Sequence, residues 1–365
     1  MSARRILVAL LLALLPSGPA VFAATVNVTV GGAASTFTPR DVTIQLGDTV
    51  TWSNAGGFHN VVSDDGTTFT SGGASGAAWT YSFTFTSAGS FPYYCSVHGT
   101  PGGVGMSGSV QVSVPGDFSL DAKPDILWRN QATGDNLVWF MNGTTISGGQ
   151  VLTAVPDTSW TIAGTADFNF DAKTDILWRN QGTGANLVWF MNGTTVSSGA
   201  FLTPVADLSW HIGATGDFNA DGSRDILWRN QATGDNVIWF LNGVTLTGGA
   251  VLPAVADVNW RVGGVGDFNA DGRPDILWRN QATGDNVVWF LNGASVVGGA
   301  VLTPVADVNW TIAGVADFNA DGKPDILWRN PSAGNVVWLM NGTAIASGAA
   351  LPAVNDPNWR IGGPR

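Results

Sequence analysis

After the first two dozen residues, apolar and polar side chains alternate over short stretches, which is the period of a strand with one buried face. Val26/Val28/Val30, Val42/Ile44/Leu46, Val50/Trp52, Phe83/Phe85 and Val110/Val112/Val114 are such runs, and turns rich in Gly, Ser and Asp separate them. Strands this closely spaced between Thr25 and Val114 predict a β-sandwich. From Asp117 onward the pattern repeats. The string DFSLDAKPDILWRN returns in variant form at Asp167, Asp217, Asp267 and Asp317, a period of fifty residues. Each unit adds a strand through Trp139, Trp189, Trp239, Trp289 or Trp338, and another starting at Trp160, Trp210, Trp260, Trp310 or Trp359. Units of this length with several short strands fit propeller blades. The array begins at an Asp loop with no Trp-x-Ile-Gly strand before it, and ends on such a strand with no Asp loop after it. The expectation is therefore an all-β chain: a sandwich over 25–114, then a five-bladed β-propeller over 116–365, closed by its C-terminal strand.

Composition sharpens this picture. The chain has 48 Gly, and all 27 acidic residues are Asp. Asp favours turns and metal loops, whereas the absent Glu favours helices. The net charge of −11 and the lack of a basic stripe exclude a nucleic-acid partner. At the start, Arg4 and Arg5 precede the apolar run Ile6–Leu15, followed by small residues to Ala24. This reads as an export signal over 1–24, too short to span a bilayer, so a periplasmic or extracellular protein with no membrane span is expected. Cys95 is the one cysteine and has no partner for a disulfide; a metal is its natural occupant outside the cytoplasm.

The stretch Phe37–Asn54, then His59-Asn60-Val-Val, then Tyr94-Cys95-Ser-Val-His98, resembles the plastocyanin/pseudoazurin branch of the cupredoxins. That resemblance implies a Greek-key sandwich and one-electron transfer through one type 1 copper. The donor types agree: such sites use two imidazoles and a thiolate near one plane, with a weak axial thioether. His59, Cys95 and His98 supply the strong ligands, and Met106 the axial one. The resembled family places its Met closer to the second His. Here Gly99–Gly105 intervene, read as a flexible Gly-rich loop. If they do not return Met106, the axial position is empty or taken by a backbone oxygen. Asn60 resembles a residue that ties the two ligand loops together. His98, flanked by Gly99, Pro101, Gly102 and Val104, is the expected exit for the electron.

Each repeat opens Asp-x-Asn/Ser-x-Asp-Gly/Ala-x-x-Asp, resembling the Ca²⁺ loops of FG-GAP/VCBS repeats. Positions 1, 3, 5 and 9 are the expected oxygen ligands. They are Asp117, Ser119, Asp121 and Asp125; Asp167, Asn169, Asp171 and Asp175; Asp217, Asn219, Asp221 and Asp225; Asp267, Asn269, Asp271 and Asp275; and Asp317, Asn319, Asp321 and Asp325. Up to five Ca²⁺ follow. Ala122 and Ala172 replace the turn Gly in the first two units, which should bind more weakly. An Asx-rich turn with no metal is the alternative. The repeated Trp residues are expected to pack between blades rather than stack on sugars. The Arg129 series either bridges blades or meets a polar ligand. His211 aligns with Thr161, Arg261, Thr311 and Arg360, a variation that argues against a catalytic or ligand role.

These readings combine into an exported blue-copper electron carrier with a redox partner protein, and no catalytic residue of its own. Its propeller would be a docking platform for a glycan or a cell-surface protein. The alternatives are a lectin-like adhesion protein with an auxiliary copper domain, and a copper-dependent oxidoreductase.

Overall fold

The computed structural model describes residues 25–32, 35–45, 48–87 and 89–365. The export segment therefore lies outside the described residues. Among those described there is no helix; the chain runs as strands and turns throughout.

The first domain has eight strands: β1 (Thr25–Val30), β2 (Phe37–Thr38), β3 (Asp41–Gln45), β4 (Thr49–Asn54), β5 (Val62–Ser63), β6 (Thr80–Thr84), β7 (Gly89–Thr100) and β8 (Val104–Ser113). They form two four-stranded sheets, in the orders β2-β1-β4-β6 and β3-β8-β7-β5. β1 pairs parallel with β4, and β3 parallel with β8; the other pairs are antiparallel. The alternation seen in the sequence orients the faces. In β4, Val50, Trp52 and Asn54 point inward while Thr49, Thr51 and Ser53 are half-buried. Trp52 is fully buried, stacked on Phe69 at 5.4 Å and met edge-on by Tyr93 at 5.3 Å. Burying rings of this size, about 150–250 Å² each, supplies much of the driving force for a domain this small. Cys95 and Met106 belong to the same core cluster, so the candidate metal donors are anchored at its edge.

The repeat array forms five four-stranded sheets in a propeller-like series. The first contains β9 (Ile126–Asn130), β10 (Asn136–Asn142) and β11 (Thr145–Leu152). The second runs from β12 (Trp160–Ala166) through β13 (Asp175–Asn180) and β14 (Asn186–Asn192) to β15 (Thr195–Leu202). The strand Trp359–Gly363 pairs antiparallel with β9 and completes the first sheet. The string Ile-Leu-Trp-Arg-Asn is buried on both faces, because each such strand lies between two neighbouring sheets. Ile176 and Trp178 pack against the first unit, while Leu177 faces the third. Ile126 and Trp128 share a core cluster with Leu327 and Val337 of the fifth.

The Arg129 series bridges these interfaces. Arg129 lies 5.0 Å from the Trp178 ring, and the relation repeats around the array until Arg329 lies 4.9 Å from Trp128. Arg129 also donates to the carbonyls of Gly134, Val155, Asp157 and Trp160 and to Asn136 Oδ1. A guanidinium so enclosed is a structural strut.

Candidate metal centre

Three side chains from two loops converge at one end of the sandwich. His59 follows β4, and its backbone is fixed by reciprocal hydrogen bonds with Ser75, N···O 3.2 and 3.0 Å. Its ring is buried, and the backbone closes tightly on its Nε2 side: a Cβ on Gly57 would stand 2.4 Å from Nε2, and one on Gly31 at 2.7 Å. Glycine is required at both positions by space, and the φ angles of +95° and +78° demand it again. Burial, and then the neighbouring His98, hold the His59 imidazole below its ordinary value. That favours the neutral ring that a metal needs.

Cys95 and His98 come from a bulge in β7. Tyr94 pairs with Ser107 and Gly99 with Gly105, so four residues, Cys95 to His98, stand opposite Met106 alone. The bulge turns both donors to one side. Cys95 Sγ lies 3.7 Å from His59 Nδ1 and 3.6 Å from His98 Nδ1, and the two imidazole centroids are 4.8 Å apart. Among the described residues, this is the only group of three or more His, Cys or acidic side chains whose donor atoms are close enough to share an ion. Cys95 is fully buried and His59 nearly so, whereas His98 is exposed.

The stretch 99–105 is a continuation of the hairpin rather than the flexible loop expected. Gly99 and Gly105 face each other, and Thr100 pairs with Val104. Both glycines are needed for the close approach: a Cβ on Gly99 would meet the Met106 carbonyl at 2.5 Å, and one on Gly105 the His98 carbonyl at 2.3 Å. The turn is tied down by Asp64, whose Oδ2 accepts a 2.7 Å bond from the Gly102 amide. Met106 is thereby held, buried, directly across from the Cys95–His98 bulge.

Asn60 joins the two loops. Its Oδ1 accepts from the Ser96 amide at 2.9 Å and the Ser96 hydroxyl at 3.0 Å, and its Nδ2 donates to the Gly72 carbonyl at 2.9 Å. One buried amide therefore links the neighbour of His59 to the neighbour of Cys95.

A family profile described as copper binding proteins, plastocyanin/azurin family, matches residues 24–113. Plastocyanin from Scenedesmus fuscus is 35% identical over 98 residues, covering 24% of this chain and 97% of that protein. Through its first domain, the chain belongs to the plastocyanin family. Plastocyanin A/B from Petroselinum crispum is 33% identical over 87 residues, covering 21% of this chain and 87% of its own. Among solved structures, a purple cupredoxin from Nitrosopumilus maritimus aligns at 27% identity, covering 24% of this chain and 98% of that one, with a TM-score of 0.21. A second profile, FG-GAP-like repeat, matches 217–278 and 267–328. The plastocyanin-family domain thus occupies the first quarter of the chain, and FG-GAP-like repeats follow it.

The donor set fits the metal that the family binds. One thiolate and two imidazole nitrogens suit copper in both oxidation states, and their separations of 3.6 and 3.7 Å from the sulfur fit donors around one ion.

The Asp loops have a different arrangement from the copper site. Their carboxylates are not gathered into a cage among the described residues. Position 9 is wholly buried and acts as a staple. Asp125 Oδ2 accepts from the Phe118 amide and Oδ1 from the Met141 amide, each at 2.9 Å. Asp175, Asp225, Asp275 and Asp325 do the same in their own units. Position 1 accepts the amides of positions 5 and 6: Asp117, Asp167, Asp217, Asp267 and Asp317 hold the turn together from within. At position 3, Asn219, Asn269 and Asn319 donate to Asp221, Asp271 and Asp321, whereas Ser119 donates to Asp117 and Asn169 accepts from the Asp171 amide. Lys123, Lys173 and Lys323 pair with Asp121, Asp171 and Asp321. The loop carboxylates thus accept from backbone amides and pair with lysines, the hydrogen bonds of an Asx-rich turn. Burial raises the position-9 carboxyls to about 6 in Asp125 and Asp325, and about 7 in Asp175, Asp225 and Asp275. Ala122 and Ala172 adopt the left-handed conformation at φ 68° and 62°, where the later units have Gly.

Proposed function

We propose that this protein is an exported blue-copper electron carrier, with His59 Nδ1, Cys95 Sγ and His98 Nδ1 as strong copper ligands and Met106 as the axial one. The observation that carries the reading is the convergence of one buried sulfur and two ring nitrogens within 4.8 Å of one another. Copper held there supplies a one-electron couple. The residues set its surroundings: His59 and Cys95 are shielded from water, Asn60 keeps the two ligand loops in register, and the hairpin holds Met106 across from the bulge. His98 is the exposed donor, and so the exit for the electron. Its surroundings suit a transient partner protein, because Phe58 beside His59, Val97 beside His98, and Val104 on the same hairpin are all exposed. Val104→Asp should leave copper bound and slow electron exchange with a redox partner. Unchanged exchange would remove the docking part of the reading.

Export rests on the sequence of residues 1–24. Among the described residues no helix is long and apolar enough to cross a membrane. The repeat array is read as a closed five-bladed platform that itself docks a glycan or a cell-surface protein. Ca²⁺ uptake by the Asp loops is the remaining part of the reading. It rests on the recurrence of the Asp-x-Asn/Ser-x-Asp string at the start of every repeat. The deciding experiment for copper is a visible spectrum of the oxidised, copper-loaded protein. An intense thiolate-to-copper band that disappears in Cys95→Ser is expected, and a colourless protein defeats the assignment.

A further inference from the structure

The first strands of the propeller sheets contact one another in series, and together they surround a cavity of about 900 Å³. Its wall is built in tiers of equivalent repeat positions. Gln131, Gln181, Gln231 and Gln281 form one tier. Thr161, His211, Arg261, Thr311 and Arg360, each following the Trp that recurs at the head of the inner strand, form another. Arg365 reaches across the floor, donating from Nε to the Gly213 carbonyl at 3.2 Å and from Nη2 to the Val262 carbonyl at 3.3 Å.

The charge of this wall opposes that of the protein. Seven arginines and one histidine line the cavity, and no Asp does, in a chain of net charge −11. Four of the arginines, Arg179, Arg229, Arg279 and Arg329, are committed to the interfaces between sheets. The other three, Arg261, Arg360 and Arg365, form no salt bridge among the described residues. Arg261 Nη1 is buried without a hydrogen-bond partner. The charges converge: the His211 imidazole is held below its ordinary value by burial and then by Arg179, Arg261 and Arg365, and Arg229 falls to about 10 through burial and Arg261. A cluster of like charges with an unsatisfied donor is a costly arrangement unless an anion completes it.

The repeat itself adds an independent argument. Positions that only pack are nearly invariant from unit to unit, as in Leu-Trp-Arg-Asn. The tier containing His211 varies, and the variation replaces Thr with a basic residue in three of five units. That variability is what set His211 aside in the sequence, yet the fold shows that it falls on the cavity wall. We propose that this cavity is a binding site for a small anion carrying two negative charges on oxygen, held by Arg261 and Arg365 with the Gln tier as hydrogen-bond donors. Guanidiniums match both phosphate and carboxylate oxygens, so the ligand chemistry has two sources, a phosphate and a dicarboxylate.

Isothermal titration of the full, copper-loaded chain at low ionic strength tests this, with inorganic phosphate and succinate as separate probes. Saturable one-to-one binding of at least one probe is expected, and which one binds identifies the source. The variant Arg261→Gln should bind at least tenfold more weakly, with its melting temperature and copper spectrum unchanged. If that variant melts early, Thr311→Glu, which adds a carboxylate to the same tier, should give the same loss in a folded protein. Absence of binding by both probes, or wild-type affinity in the folded variants, overturns the proposal.

Discussion

Replacing Asn60 with Ala isolates the link between the two halves of the copper site. The substitution removes three hydrogen bonds, two from Ser96 and one to the Gly72 carbonyl. At about 0.5–1.5 kcal/mol net each, they amount to about 1.5–4.5 kcal/mol. Ser96 is exposed, so water can replace part of what it loses, and the expected cost lies at the lower end, about 2 kcal/mol. A second effect is separable. Without the link, the Cys95–His98 bulge and the His59 loop move independently, and partners of this kind typically contribute about 10–100-fold to metal affinity. Denaturant titrations of the copper-free and copper-loaded protein measure both effects, with the visible copper band reporting on the first domain alone. Asn60→Asp keeps the acceptor for Ser96 and should recover part of the affinity that Asn60→Ala loses. Stability within about 0.5 kcal/mol of the parent, together with unchanged copper affinity in Asn60→Ala, would refute the linking role.

Gly57→Ala places a methyl 2.4 Å from His59 Nε2, and should weaken copper binding at least tenfold in a competition titration. Ala122→Gly and Ala172→Gly relieve left-handed alanines, and each should raise stability by about 1 kcal/mol, read as a higher melting temperature. The position-9 carboxyls carry raised folded-state values. Their contribution is therefore fully present below about pH 4, the unfolded range, and is lost as pH rises through 6 to 7. In chelator, the array should melt at lower temperature at pH 7.5 than at pH 5, and added Ca²⁺ should restore the neutral-pH value. A pH-independent melt, or no response to Ca²⁺, would leave the Asp loops as metal-free turns.

Much of this was legible in the sequence. The two-residue period of β4 placed Trp52 in the core, and the fifty-residue repeat marked every sheet of the array. His59, Cys95 and His98 stood out because each is scarce in the chain and of the right donor type. What stayed hidden depends on partners distant in sequence. The register that sets four residues opposite Met106 comes from β7–β8 pairing, so Gly99–Gly105 read as a flexible loop when it is a hairpin. The amide partner of the position-9 Asp, Met141 in the first unit, could not be read because it lies at the far end of the next strand. That His211 lies on the cavity wall could not be read, because the cavity exists only once all the sheets are assembled.

X-ray absorption at the copper edge of the loaded protein tests the central claim most directly. The account predicts one short sulfur neighbour and two imidazole nitrogens around the metal, with the sulfur lost in Cys95→Ser. A shell of nitrogen and oxygen alone in the parent protein would contradict it.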